Sequence, residues 1–92
     1  MQSVYVLTNV AMPGLVKVGF ASDVGDRVKQ LSSPTGVPVE FEVAFQVQVE
    51  DAPEVEALAH SLLADHRVNS RREFFFAKAD RAIKAVQVAA LM

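Results

Sequence analysis

Leu15-Val16-Lys17-Val18-Gly19-Phe20, followed by Ala21-Ser22-Asp23 and then Arg27, is the stretch whose reading decides the fold. Val16, Val18 and Phe20 alternate with Leu15, Lys17 and Gly19, the period-two pattern of a strand. Ala21-Ser22-Asp23 supplies a helix N-cap, and Val24, Val28 and Leu31 then recur at helical spacing. Arg27 falls on the flank of that apolar stripe, where its stem packs and its guanidinium emerges at the edge. Gly25 costs the helix about 1 kcal/mol relative to alanine, and Ser32-Ser33-Pro34-Thr35-Gly36 ends it. A lysine inside an apolar strand and an arginine one turn into the next helix both call for a reason. Our expectation is that Lys17 and Arg27, with Tyr5 and Glu56, line one phosphate-handling groove.

Working outward, Ser3 to Thr8 alternates as a strand, and Met12-Pro13-Gly14 marks a turn. So short a connection favours an antiparallel hairpin over a crossover. Tyr5 and Lys17 share a face if the paired residue numbers sum to an even value; the residues leave that register open. Val37, Val39, Phe41, Val43, Phe45, Val47 and Val49 alternate with mostly polar neighbours, predicting one strand over 37–49 with its odd residues toward the core. Asp51 to Pro53 opens a helix whose buried face is Val55, Leu58, Ala59, Leu62 and Leu63. Glu56 and His60 are neighbours on its flank. Asp65 to Arg72 reads as a polar, basic loop, Phe74-Phe75-Phe76 as a short apolar plug, and Asp80 to Leu91 as a last helix using Ile83, Val86 and Ala90. The order is β-β-α-β-α-(short β or loop)-α over a single domain, 1–92: an α+β fold in which helices cover a small antiparallel sheet.

Composition narrows the function classes. The chain is 51% hydrophobic and 22% charged, which is globular. There is no cysteine, so disulfides, thiolate nucleophiles and zinc ribbons are excluded. Met1-Gln2-Ser3 has no positive character, and no apolar run approaches the about 20 residues that span a bilayer. We therefore expect no membrane contact and a cytoplasmic address. Net charge is −2, with 9 Lys+Arg against 11 Asp+Glu, which argues against bulk electrostatic gripping of a duplex. The basic residues cluster, however: Val37 to Asp65 has no Lys or Arg, whereas Arg67 to Lys84 holds Arg67, Arg71, Arg72, Lys78, Arg81 and Lys84. DNA contact is expected on that side, through Arg67, Arg71 and Arg72.

Ser3-Val4-Tyr5-Val6-Leu7 and Lys17-Val18-Gly19, with Arg27 after them, resemble the GIY-YIG nuclease superfamily. The similarity is to a compact phage and bacterial open-reading-frame branch whose second triplet is Lys-Ile/Val-Gly. Met12-Pro13-Gly14, Gln30-Leu31-Ser32, Gly36-Val37-Pro38, Glu56-Ala57-Leu58-Ala59-His60 and Arg72-Glu73-Phe74-Phe75 extend it over residues 3–87. The resemblance implies a three-stranded antiparallel sheet flanked by helices, and metal-dependent hydrolysis of DNA phosphodiesters with one divalent ion, Mg²⁺ or Mn²⁺. By position, Tyr5 looks like the first-triplet tyrosine that helps activate water, and Arg27 like the arginine that steadies the scissile phosphate. Glu56 looks like the metal-binding carboxylate. Lys17 stands where most members have a second tyrosine, and Asn69 lies near a supporting asparagine.

The chemistry suits those residue types. A hard oxygen-ligating ion often uses only one or two carboxylates, and an arginine meets a phosphate bidentately where a lysine does not. A tyrosine with pKa near 10 needs a cation to become a base, a role in which a nearby Lys17 fits. His60 and Glu73 are candidate supporting residues. Plainer readings stand beside these: Arg27 pairing with Asp23, Glu56 with His60 as a solvent-facing helix pair, Glu73 bridging Arg71, Arg72 or Arg27, and Phe74 to Phe76 as core. Because Lys17 removes the second phenol, a second functional reading keeps the fold as a weak or inactive module that binds nucleic acid or a protein. A homodimer through Val86 to Met92, or a larger host partner, is the third.

Overall fold

The computed structural model describes residues 1–33, 39–68 and 73–92. Of the expected site residues, Asn69, Arg71 and Arg72 lie outside this set, as do 34–38, which include the first two residues of the expected third strand. Strands β1 (Gln2–Thr8), β2 (Leu15–Ala21), β3 (Glu42–Val49) and β4 (Phe74–Phe76) alternate with helices α1 (Val24–Ser32), α2 (Ala52–Leu62) and α3 (Ala79–Leu91), with a short 3₁₀ turn at Ala64–His66. The sheet is antiparallel with strand order β3-β1-β2-β4. The Phe74 to Phe76 segment is thus a fourth strand at the β2 edge, one more than the resemblance implies.

β1 is central, and its alternation carries apolar residues on both faces. Val4 and Val6 pack with Val16, Val18 and Phe75 beneath α2 and α3; Tyr5 and Leu7 pack with Ala21, Val24 and Phe41 beneath α1. The molecule therefore has two thin cores, one on each side of the sheet. The phenylalanine run is divided between them by strand alternation: Phe75 is fully buried on one side, Phe74 packs on the other, and Phe76 stays exposed.

The β1–β2 hairpin pairs Tyr5 with Gly19 and Leu7 with Lys17, an even-sum register, so Tyr5 and Lys17 share the α1 face. Its loop is closed by main-chain bonds Met12 to Asn9 and Leu15 to Met12. Gly14, at φ 82°, takes the left-handed conformation that glycine adopts without a Cβ clash. Asn9 is buried and donates Nδ2 to the Val39 carbonyl (2.7 Å), tying the loop to the approach to β3.

The expectation for the third strand needs correction. β3 begins at Glu42, and its pairing with β1 slips by one residue between Val6 and Leu7, so Val6 faces Phe45 but Leu7 faces Val43. A bulge reverses side-chain alternation beyond it. Phe45, Val47 and Val49 consequently pack beneath the helices α2 and α3, while Phe41 crosses to the Tyr5 core and Val43 is exposed. In α2, Asp51 caps the first turn by accepting from the Glu54 amide (3.2 Å). Ala59 in the helix and Leu63 just after it are buried, but Leu62 is exposed, contrary to the expected buried face. No helix among the described residues is long and apolar enough to cross a membrane.

Candidate functional site around Gly19

Gly19 organises the site because it has no side chain. Directly across the hairpin, the buried Tyr5 phenol fills the space above it: a Cβ placed on Gly19 would meet the Tyr5 hydroxyl at 2.5 Å and its ring carbon Cζ at 2.7 Å. The same position lies 3.0 Å from Glu73 Oε2. Glu73 arrives there because β4 extends the β2 edge, its carbonyl accepting from the Val18 amide (3.1 Å). Its Oε2 also meets Lys17 Nζ at 3.5 Å, and that ammonium lies 4.9 Å from the centre of the Phe74 ring. Glu73 therefore pairs with Lys17, and among the described residues not with Arg27.

α2 brings the second carboxylate. His60 bonds through Nε2 to the Val18 carbonyl (2.9 Å) and rests its ring against Phe75. This anchors the flank of α2 on the β2 edge and sets the half-buried Glu56, one turn earlier, beside the same group. Glu56 and His60 are thus not a solvent-facing pair. Burial pushes the Glu56 carboxyl up to about 7, reinforced by Glu73 and opposed by Lys17 and Arg67. His60 is pushed below its ordinary value, chiefly by burial, against the stabilising bond to Val18. With Nε2 on a carbonyl, its neutral ring carries the proton there.

The Tyr5 phenol is pushed up to about 12, first by burial and then by Glu73 and Glu56, with Arg27 pulling it down. The expectation that Lys17 makes this tyrosine more acidic is overturned: the lysine charge is spent on Glu73 and Phe74, and Tyr5 is a neutral phenol at pH 7. Arg27 belongs to the group through the field it exerts on Tyr5. Its exposed side chain lines a shallow depression with Ala21, Ser22, Asp23, Asp26 and Gln30, none of them another member of the group. Among the described residues Asp23 makes no ion pair with Arg27; its Oδ1 caps α1 by accepting from the Asp26 amide (2.9 Å).

Tyr5 and Glu73 thus meet at Gly19 with Lys17 on the same carboxylate, Glu56 and His60 within electrostatic reach from α2, and Arg27 on the α1 side. Arg67 approaches from the β4 side, bridging Phe75 in the sheet and lying over its ring at 5.7 Å. The sequence reading gave Glu73 only a supporting place, yet its oxygen is where Tyr5, Gly19 and Lys17 meet. Its place depends on β4 pairing with β2, which sets Glu73 opposite Val18 and which no residue of Phe74-Phe75-Phe76 announces.

Against known families, residues 2–90 match the T5orf172 domain. The chain belongs to the T5orf172 domain family. This is a phage-associated domain found in nuclease-like proteins. Comparison with curated proteins and with solved structures gives no match. In this T5orf172 domain the match runs from the first residue of β1 to all but the last residue of α3, so the Gly19 cluster lies within the matched region.

Proposed function

We propose that this T5orf172 domain is a GIY-YIG-type endonuclease that hydrolyses DNA phosphodiesters. The observation that carries the proposal is the meeting of Tyr5 and Glu73 over Gly19, with Lys17 on the same carboxylate and Glu56 and Arg27 acting on the same phenol. A neutral phenol, two carboxylates and two cations in one neighbourhood suit an anionic phosphate and an attacking water.

A divalent cation belongs to this reading, and the donor chemistry fits one. Glu73 adds to the cost of ionising Glu56, which a bound cation would relieve. Among the described residues no group of three or more His, Asp or Glu forms a ready-made cage. That favours Mg²⁺ or Mn²⁺, which is satisfied by one or two carboxylates with water and phosphate oxygens. Glu56 would hold it, with Glu73 beside it. Bound there, it supplies positive charge for the phosphate and acidifies water.

The protein groups do the rest. Tyr5 keeps its proton and offers Oη as a hydrogen-bond donor to an oxygen bound beside Glu73. Arg27 meets the phosphate from the α1 side in its bidentate geometry. Lys17, held 3.5 Å from Glu73, would offer its ammonium to the phosphate. His60 holds β2 and α2 in register. The test is nicking of supercoiled plasmid in Mg²⁺ or Mn²⁺. Activity is expected in the parent and absent in Arg27→Ala and Glu56→Ala; nicking that survives both changes assigns it elsewhere.

The Lys17–Glu73 pair favours a second reading, since a site neutralised from within binds without cutting. In that case DNA is retained with no cleavage on any substrate or ion, and binding depends on Arg67, Arg71 and Arg72 rather than Glu56.

A further inference from the structure

The two edges of the sheet are unlike. At β4 the strand is short, and its outer side is met by Arg67 bridging Phe75 and by the Val68 amide bonding the Phe74 carbonyl (3.0 Å). At the other edge β3 runs from Glu42 to Val49 with no strand outside it among the described residues. The backbone orientation of this edge follows from β2. Val18 directs its N–H to Glu73 and its C=O to His60, both away from β1. Its partner Val6 therefore directs its own amide groups toward β3, and by alternation Val4 does the same. Phe45 and Val47, opposite Val6 and Val4, bond inward. The N–H and C=O of Gln46 and Gln48 are left pointing outward, and both residues are exposed.

Edge strands usually block further pairing with lysine, proline, inward charges or a bulge, and the bulge of β3 lies at Ala44, toward one end of the strand. Past the bulge, from Phe45 to Val49, the strand keeps a regular ladder and has no charged residue and no proline. We infer that it pairs with the same strand of a second copy of this chain, antiparallel about a two-fold axis at Val47, to give one continuous sheet.

The residues select that axis. It sets Gln46 and Gln48 against the partner's Gln48 and Gln46, all with outward amides that exchange main-chain hydrogen bonds. Phe45 then faces the partner's Val49, and Val47 faces the partner's Val47, extending one apolar band on the side that α3 covers. An axis at Gln46 instead sets Glu42 against the partner's Glu50 at both ends, and like charges directly opposite are destabilising. On the same side, Phe45, Val47, Val88 and Leu91 line an apolar groove of about 490 Å³ that the partner's band closes. Self-pairing through one patch closes on itself and does not propagate. With strands about 4.8 Å apart, the two Gly19 sites sit roughly 24 Å from each other across the paired sheet.

The test is the solution mass of the 92-residue chain by sedimentation at 1–200 µM, a range of about two decades suited to micromolar association. The parent is expected at twice the 10.0 kDa chain mass at the upper end. Gln48→Pro removes an outward N–H without touching the β1 ladder, and is expected to be monomeric with unchanged far-UV circular dichroism. Gln46→Lys with Gln48→Lys places like charges across the axis and is expected to be monomeric. Gln46→Lys with Gln48→Glu places opposite charges there and is expected to dimerise, which a merely disrupted strand does not do. A parent that is monomeric throughout, or a dimer that survives both the proline and the double-lysine variants, overturns the inference. Neither result bears on the nuclease reading, which rests on the opposite edge.

Discussion

Replacing Gly19 by alanine probes the centre of the site directly. The added methyl would sit 2.5 Å from the Tyr5 hydroxyl, 2.7 Å from its ring and 3.0 Å from Glu73 Oε2. Glu73 is partly exposed and can swing away, but Tyr5 is 1% exposed and is walled in by the α1 core. The ring must therefore shift, disturbing Leu7 and Val24 around it. Overpacking of this kind costs about 1–3 kcal/mol, and removing a strand glycine returns roughly 0.5–1 kcal/mol. The net loss is about 1–2 kcal/mol, or a fall in Tm of about 5–15 °C for a domain of this size. Thermal unfolding followed by circular dichroism reads it. Adding Tyr5→Phe removes the hydroxyl contact but leaves the ring contact, so measured against Tyr5→Phe alone the cost of Gly19→Ala should shrink without vanishing. A Gly19→Ala variant as stable as the parent, or more so, would refute the placement of Tyr5 over Gly19.

Two further outcomes follow from the charges. Tyr5 is the only tyrosine and there is no tryptophan, so phenolate absorbance reports it alone; in the native protein it should ionise near 12, but near 10 in urea. Because Glu73 raises that value, Glu73→Gln should lower the native midpoint, and an unmoved midpoint would separate Glu73 from Tyr5. Glu56 is raised to about 7 from an ordinary 4.5. Between those values the folded state keeps a proton that the unfolded state has released, so this group's contribution to stability declines as pH rises from about 4.5 to 7. Urea unfolding should show Glu56→Gln gaining on the parent across that window, with the gap widest above pH 7, and Mn²⁺ at pH 8 should stabilise the parent but not the variant.

The local grammar of the chain was legible in advance. Asp23 and Asp51 are capping residues that announce their helices, and the hairpin follows from a short connection between two alternating segments. Alternation failed at β3 because a bulge is a pairing event: nothing in Glu42-Val43-Ala44-Phe45 marks which residue β1 will skip, yet the skip sends Phe41 to the opposite core. The exposed Leu62 likewise depended on how α3 crosses α2, which periodicity does not specify.

Residue types by themselves determined that this chain has one tyrosine, no thiol, a lysine within a strand and a glycine beside it, and hence which chemistries were open to it. Only the tertiary structure decided what those residues are to one another. The even register put Tyr5 over Gly19, and the late strand β4 put Glu73 against both. Lys17 thereby became the partner of a carboxylate and not the activator of a phenol. The physical reason is that charge and burial act through space. Residues 5, 19, 56 and 73 are far apart along the chain, and only the folded sheet gives them a common dielectric and a common field.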